Sequence, residues 1–175
     1  QTTRNKTSLQ QNYGDDGRSE VILDGAGNVL VASCTQSTSQ TVPADNFPTT
    51  PGVFQGGRSG NQDGVLIKFT PDLGSLIFSS FLGGVANDAA YVLAIGPNGN
   101  IFVAGGTESN ANDFPGNEAG TVGPANHGGI DGFISEITPN GNAVVRTAFI
   151  GTNATDQVFG IQFDSKGFPY ITGQT

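Results

Sequence analysis

The sequence repeats itself at an interval of about 68 residues, and this internal repeat limits the possible folds more than any other feature of the chain. Phe47-Pro48 returns as Phe114-Pro115, and Asp63-Gly64 returns as Asp131-Gly132. Two further pairs keep nearly the same spacing: Thr70-Pro71 with Thr138-Pro139, and Phe81-Leu82-Gly83 with Phe149-Ile150-Gly151. A period of this length indicates one supersecondary unit per repeat.

A second group of matches occurs three times and fixes the bounds of the repeats. Its members are the aspartates Asp16, Asp88 and Asp156 and the turn glycines that follow them at a constant distance, Gly27, Gly99 and Gly167. The first repeat is about four residues longer than the second, and the excess falls between Thr35 and Phe47, where a loop tolerates insertion. We therefore divide the chain into an N-terminal extension, two complete repeats and the first half of a third, at residues 1–12, 13–81, 82–149 and 150–175.

Each complete repeat predicts four short β-strands. In the second repeat, the turn Pro97-Asn98-Gly99-Asn100 joins two apolar runs and predicts a hairpin, because Asn-Gly adopts positive φ at low cost. Gly and Pro interrupt every window in which a helical period could develop. The predicted strands are 20–23, 29–32, 65–69 and 76–81 in the first repeat, 91–95, 101–104, 132–137 and 143–149 in the second, and 158–163 and 169–172 in the third.

Four antiparallel strands per repeat, with a tight hairpin between the first two, are typical of a β-propeller blade. Leucine-rich and hexapeptide solenoids have a much shorter period, and an immunoglobulin-like sandwich has no internal repeat of this length. We therefore predict an all-β fold built of propeller blades. Because a closed propeller has about four to eight blades, we expect these repeats to belong to a larger propeller or to be completed by another subunit. The stop at Gly173-Gln174-Thr175, after the second strand of a blade, favours the first of these.

Several stretches together resemble the bacterial SBBP repeat, a β-propeller repeat of exported proteins. They are Asn46–Gln55, Asp63–Lys68, Phe81–Gly84 with Asp88, and Pro97–Thr107. The resemblance covers about residues 13–175, and it implies blades of a seven-bladed propeller in an exported or cell-surface protein. The sequence departs from the family pattern at Ser33 and Thr152, which stand where the family has Gly, and the second repeat lacks the Thr-Thr that follows Phe-Pro.

Composition and charge exclude several classes of function. The net charge is −8 with only seven Lys and Arg residues, which argues against nucleic-acid binding, because phosphate contacts need a basic face. No apolar run approaches the roughly 20 residues that span a bilayer, so we expect no membrane insertion. Cys34 has no second cysteine with which to form an intrachain disulfide.

The composition also predicts where the protein is found. The chain opens at Gln1 without a basic and apolar leader, and it is rich in Ser, Thr and Asn but poor in Lys. We therefore expect an extracellular or cell-surface protein whose signal peptide has been removed or lies outside this segment.

His127 and Cys34 are the only residues of their types in the chain. His127 lies in a Gly-rich loop, and its counterpart in the first repeat is Ser59. We interpret it as an exposed loop histidine, because no arrangement of nucleophile and base can be assembled around it from the sequence. Cys34 ends a predicted strand at a position where the other repeats have Gly106 and Gln174, which favours a structural thiol over a nucleophile.

The recurring aspartates have two interpretations. Recurrence in every repeat favours turn capping, in which the side chain accepts hydrogen bonds from backbone N–H groups. The alternative is calcium, which takes six to eight oxygen ligands. The candidate ligands are Asp15, Asp16, Asp63 and Asp131. We predict no required cofactor, keep calcium as the alternative, and expect calcium removal to change stability little.

Glutamates and aromatic residues are the side chains that carbohydrate chemistry most often uses. The glutamates Glu20, Glu108, Glu118 and Glu136 lie in no recognisable motif for glycoside hydrolysis. Phe114 and Tyr170 are candidates for a sugar-binding platform. For Phe114, the Phe-Pro motif favours an anchor that packs its loop into the blade.

Two hypotheses of function follow. The first is a non-catalytic extracellular scaffold for adhesion, surface display or assembly. The alternative is a propeller-based glycan-active lyase or hydrolase with its site outside or between these blades, since fold alone does not decide function. A site that breaks the repeat symmetry would favour the enzyme, and none is evident in the sequence.

The last predicted strand supplies the candidate interaction edge. A half blade leaves this strand without a second neighbour, and exposed edges recruit other strands. The edge residues are Pro169, Tyr170, Ile171 and Thr172. The expected partners are other β structure of the same longer chain or of neighbouring subunits, with surface glycans as a further candidate.

Overall fold

The computed structural model describes residues 19–38, 46–117, 119, 121–123 and 125–175. Within these ranges, the chain forms ten β-strands and no helix. Short strands separated by Gly-containing turns account for this, because neither the period nor the turn residues allow a helix to propagate. The all-β prediction is therefore confirmed, while the propeller arrangement stays a prediction.

The first sheet has four antiparallel strands that follow one another in chain order. Its strands are β1 (Glu20–Leu23), β2 (Val29–Thr35), β3 (Asp63–Phe69) and β4 (Leu76–Leu82). The turn between β1 and β2 is closed by Asp24, whose Oδ1 accepts hydrogen bonds from the N–H groups of Ala26 and Asn28, both at 2.9 Å. Gly27 completes the turn at a φ of 80°, which favours glycine.

The second sheet repeats the order and direction of the first. Its strands are β5 (Asp88–Ile95), β6 (Ile101–Thr107), β7 (Asp131–Ile137) and β8 (Val144–Ile150). A two-stranded antiparallel hairpin follows, formed by β9 (Gln157–Phe163) and β10 (Pro169–Gln174). Most of the observed strands extend a few residues beyond the predicted ones, because pairing with a neighbouring strand incorporates flanking Asp, Gly and Thr residues that carry little strand signal.

The internal repeat extends to the register of the strands. Gly64 pairs with Leu82 in the first sheet, and Gly132 pairs with Ile150 in the second. Both sheets also have a register shift near the end of their third strand, at Lys68/Phe69 and Glu136/Ile137. The sequence repeat is therefore a repeat of structure, down to the position of an irregularity.

The sheets lie face to face in chain order. Strand β5 lies against β2 and β3 of the first sheet, and β9 lies against β5, β6 and β7 of the second. One cluster of buried apolar side chains includes residues of both four-stranded sheets, among them Leu30, Leu66, Leu82, Val103, Phe133 and Phe149. Each fully buried Leu or Phe contributes roughly 1.5–3 kcal/mol of transfer free energy, so packing between the sheets is a main source of stability.

Candidate functional site

The recurring aspartates lie at one end of the sheets. Asp63, Asp88 and Asp131 open β3, β5 and β7, and Asp156 immediately precedes β9. Thr107 at the end of β6 pairs with both Asp88 and Asp131, so these strand starts lie side by side. All four aspartates are buried, with at most 3% of their surface exposed. Buried carboxylates need hydrogen-bond partners. The identity of those partners distinguishes turn capping from metal binding at this end of the sheets.

Asp63 holds the loop that precedes β3. Its Oδ2 accepts hydrogen bonds from the backbone N–H of Ser59 at 2.9 Å and from Nε2 of Gln55 at 3.0 Å. Its Oδ1 accepts one from the N–H of Gly60 at 3.0 Å. Burial raises the pKa of Asp63 above its ordinary value, and these hydrogen bonds oppose that shift. Both oxygens are engaged in fixing the loop, as the turn-capping interpretation expects.

Asp88 lies close to Asp63, where the first and second sheets meet. We call this contact, formed by Asp63, Gly83 and Asp88, the first joint. Its Oδ2 accepts hydrogen bonds from the N–H of Gly84 at 2.8 Å and from Oγ of Ser109 at 3.0 Å. Its Oδ1 accepts one from the Thr107 hydroxyl. Burial raises the pKa of Asp88 to about 7, and the nearby charge of Asp63 adds to the effect.

Gly83 separates the two carboxyl groups of this joint. A Cβ on Gly83 would lie 2.6 Å from Oδ2 of Asp88 and 2.9 Å from Cγ of Asp63. Both distances are shorter than van der Waals contact, so a residue without a side chain is needed here. The backbone N–H of Asp88 also donates to the carbonyl of Gln62 at 2.8 Å, which ties the two sheets together at this end.

A corresponding contact lies between the second sheet and the hairpin, with Gly151 in the place of Gly83. We call this contact, which contains Asp131, Gly151 and Asp156, the second joint. A Cβ on Gly151 would lie 2.5 Å from Oδ1 of Asp131, and the N–H of Asp156 donates to the carbonyl of Ile130 at 2.7 Å. Burial raises the pKa of Asp131, and the charge of Asp156 contributes. Burial also pushes the pKa of Asp156 upward, but hydrogen bonds from Thr175 and Thr152 outweigh it and lower the pKa.

The two joints differ in one detail. Oδ1 of Asp131 is buried without a hydrogen-bond partner, whereas Oδ1 of Asp63 accepts from Gly60. Gln55, which donates to Asp63, is replaced at the corresponding position by Gly123: the carbonyl of either residue accepts a hydrogen bond from the phenylalanine of the fourth strand. The second joint therefore lacks the amide side chain that completes the first.

His127 lies at the second joint and is exposed. Its backbone N–H donates to Oδ2 of Asp131, and its Nδ1 lies 3.8 Å from the same oxygen. The side chain is 52% exposed, in agreement with the interpretation of an exposed loop histidine.

The calcium alternative gains no ligand cluster from the structure. Asp15 and Asp16 lie outside the described residues. Among the described residues, no group of three or more His, Cys, Asp or Glu side chains could hold a metal ion. The oxygens of Asp63 are engaged by donors of its own loop. That calcium removal changes stability little stays a prediction.

Cys34 and Phe114 are part of the packed interior. Cys34 is 7% exposed and packs in a small apolar cluster with Ala89, Tyr91 and Ile130. The Phe114 ring is 4% exposed, and its centroid lies 4.8 Å from that of Phe133. Phe114 therefore anchors its loop and offers no platform to a sugar.

Three of the four glutamates are described, and each is engaged with a neighbour. Oε2 of Glu20, on the first sheet, accepts a hydrogen bond from the N–H of Leu93, on the second sheet, at 2.6 Å. Glu108 accepts one from Nδ2 of Asn87 at 2.6 Å. Glu136 forms an ion pair with Arg146 at 3.0 Å. Glu118 lies outside the described residues.

Strand β10 forms an edge in the described part of the chain. It pairs only with β9, whereas the corresponding strands β2 and β6 each pair on both sides. Tyr170 is 63% exposed and Ile171 is 39% exposed, whereas Val103, which occupies the position of Ile171 in the second repeat, is fully buried. The predicted edge residues Pro169, Tyr170, Ile171 and Thr172 all lie on this strand.

A groove beside Tyr170 was missed by the sequence analysis. Two adjoining cavities of about 250 and 290 Å³ share Glu20, Val92 and Phe159 in their walls, and the larger also reaches Tyr170. Glu20, Val92 and Gly160 occupy the same position in the three repeats. The complete change of residue type at this position is visible in the sequence and could have indicated a special site. Only the fold, however, shows that the three residues line one groove.

No protein-family model and no curated protein matches this chain. In the described ranges, no helix is long and apolar enough to cross a membrane.

Proposed function

We propose that the chain forms blades of a β-propeller that acts as a non-catalytic extracellular scaffold for adhesion, surface display or assembly, like the SBBP repeat proteins that it resembles. The observation that carries the proposal is the identity of the two four-stranded sheets in strand order, direction and register. A β-propeller consists of four-stranded antiparallel sheets of this kind, which pack face to face in chain order around an axis.

The joints support a modular scaffold. Each joint places buried aspartate side chains close to a glycine, two of them at Gly83 and Asp131 at Gly151, and adds a backbone hydrogen bond between successive repeats. Their oxygens mostly accept hydrogen bonds from their own loops, at Ser59 and Gly60 for Asp63 and at Gly84 for Asp88. A feature that recurs at each joint and fixes loops serves the stacking of repeats rather than a single catalytic centre.

The outer half of the second sheet supports assembly with further β structure. Leu66 and Leu82 of the first sheet are fully buried, but their counterparts in the second sheet, Ile134 and Ile150, are only half-buried. The first pair belongs to the core that both sheets share. The second pair would be covered in the same way if β10 gained two more strands.

Two sources could supply those strands: a longer stretch of the same polypeptide or a neighbouring subunit. If subunits supply them, copies join head to tail, and such heterologous contacts give rings or open filaments. Either source completes the third sheet and leaves the loops at its ends available for display. An acidic chain with a net charge of −8 suits an exposed scaffold, because its charge limits unspecific association.

Electron microscopy of the purified chain tests the propeller. We expect particles in which sheets are arranged radially around an axis, with β1, β5 and β9 innermost. Particles in which the sheets form a closed sandwich or a linear solenoid would contradict the proposal. A control preparation of Phe133→Ala, which removes a core ring shared by the two sheets, should lose the ordered particles.

A further inference from the structure

The groove beside Tyr170 crosses the first strands of all three repeats. Its walls include Glu20 on β1, Val92 on β5 and Phe159 on β9, and the larger cavity extends to Tyr170 on β10. Binding sites for small molecules are usually concave, with apolar walls and a few polar groups. The groove has both kinds of group, and the residues that form it come from three different sheets.

The groove breaks the repeat symmetry at the position of Glu20. Glu20, Val92 and Gly160 are equivalent, yet they bring a carboxylate, an isopropyl group and no side chain to the same groove. A residue required for stacking of the repeats would recur, as the joint aspartates do. The change at this position therefore indicates a local role that the general architecture does not demand.

The polar groups of the groove suit hydroxyl groups. Oε2 of Glu20 accepts a hydrogen bond from the Leu93 N–H at 2.6 Å, which holds the carboxylate at the wall and leaves Oε1 to accept from a ligand. Gln162 and Thr172 are exposed in the larger cavity. An amide and a hydroxyl both donate and accept hydrogen bonds, as sugar hydroxyls require.

The aromatic groups suit the apolar face of a sugar ring. Tyr170 is 63% exposed. Phe159 is half-buried, and its ring is held by Tyr91 at a centroid distance of 5.9 Å. The Phe159 ring therefore offers a flat apolar surface at low entropic cost, and the exposed Tyr170 ring offers a second one.

The charges of the groove argue against an anionic ligand and against a hydrolytic site. The described residues in its walls include no Lys, Arg or His, and the chain is acidic overall, so an anion would be repelled. The walls hold one carboxylate, whereas glycoside hydrolysis uses a pair. The groove is therefore suited to binding and not to hydrolysis.

We propose that this groove binds a neutral carbohydrate, in the form of one or two sugar units of a glycan chain, with Tyr170 and Phe159 against the ring faces and Glu20 and Gln162 bonded to hydroxyls. The inference rests on the proposed function, because it gives an adhesive scaffold its ligand. Each of the two cavities, at about 250 and 290 Å³, is close to the lower limit of about 300 Å³ for small-molecule sites, which suits a short segment and not a large branched glycan.

Isothermal titration calorimetry with cellohexaose, mannohexaose and chitohexaose tests the site. We expect one of these neutral probes to bind, Tyr170→Ala to weaken binding by roughly tenfold or more, and Glu20→Gln to weaken it less, because the amide oxygen still accepts from Leu93. Phe168→Ala is the matched control: Phe168 is 61% exposed but lines neither cavity. It should bind as the wild type does.

Three results would overturn the inference. The first is that none of the probes binds at about 5 mM, which corresponds to an interaction weaker than about 3 kcal/mol. The second is equal weakening by Phe168→Ala and Tyr170→Ala. The third is binding of the amine spermidine, but of no sugar, with loss on Glu20→Gln, which would identify a cation site. Melting curves of each variant separate a lost site from a lost fold, and the electron microscopy above tests the scaffold independently of any sugar.

Discussion

Asp63 and Asp88 open strands of neighbouring sheets, and their carboxyl groups approach the same backbone position, Gly83. Both side chains are fully buried, and burial raises the pKa of each. Two carboxylates that share a buried site resist being ionised together. The contact between the first two repeats is therefore linked to protonation.

This linkage predicts an unusual pH dependence of stability. The pKa of Asp88 in the folded chain is about 7, above its ordinary value of 3.8, so the folded state binds this proton more tightly than the unfolded state. The stability that it contributes is present below pH 3.8 and is lost as pH rises towards 7, at up to about 1.4 kcal/mol per pH unit. We expect the free energy of unfolding to fall between pH 5 and 7.

Asp88→Asn isolates this effect, because the amide mimics the neutral acid. Urea unfolding at several pH values should show a flatter dependence for Asp88→Asn than for the wild type. Asp72, an exposed turn residue whose pKa is lowered by hydrogen bonds from Thr70 and Gly74, supplies the control Asp72→Asn, which should keep the wild-type slope from pH 5 to 7. Parallel curves for wild type and Asp88→Asn would contradict the account.

A side chain at Gly83 should separate the two repeats. A Cβ there would lie 2.6 Å from Oδ2 of Asp88, so we expect Gly83→Ala to lower the free energy of unfolding by about 1–3 kcal/mol. Gly25→Ala is the control, since nothing lies within 4 Å of a Cβ at that position, and it should change stability by less than about 0.5 kcal/mol. Equal effects of the two substitutions in chemical denaturation would show that the joint tolerates a side chain.

Truncation of the two aromatic candidates, Phe114 and Tyr170, should lower the free energy of unfolding by very different amounts. Phe114 is 4% exposed within the core, so Phe114→Ala should cost about 3–5 kcal/mol of unfolding free energy. Tyr170 is 63% exposed, and Tyr170→Ala should cost less than about 0.5 kcal/mol. Urea denaturation measures both. Both variants are measured on the monomeric species, where a loss on Tyr170→Ala as large as that on Phe114→Ala would show that the Tyr170 side chain is packed within the chain.

Removal of calcium should leave the fold intact. The oxygens of Asp63 accept hydrogen bonds from Ser59, Gly60 and Gln55, so the loop is held without a metal. We expect a chelator to shift Tm by no more than about 2 °C. A fall of tens of degrees, reversed by added calcium, would make the aspartate loops metal sites.

Much of the fold could be predicted from the sequence because its signals are local. The turn at Asp24 and Gly27 depends on residues within one hairpin, and the repeat then transfers the same arrangement to Gly99 and Gly167. Short connections also account for the pairing of β1 with β2 and of β3 with β4, whereas β2 and β3 are neighbours across a long connection, residues 36–62.

The contacts between sheets could not be predicted in this way. The hydrogen bond from Leu93 to Glu20 joins residues that are far apart in sequence, and no periodic pattern encodes it. The approach of Asp63 and Asp88 to Gly83 also depends on how one sheet lies against the next. The groove beside Tyr170 was missed for the same reason.

The mass of the chain in solution tests the central claim most directly, that β10 accepts further β structure. Light scattering at several protein concentrations should give a mass above that of the monomer, and Ile171→Lys, which places a charge on the edge strand, should shift it towards 17.9 kDa. Hydrogen exchange should show the β10 amides that do not donate to β9 protected only in the larger species. A strictly monomeric wild-type chain in which the β10 amides that face away from β9 are already protected would contradict the account.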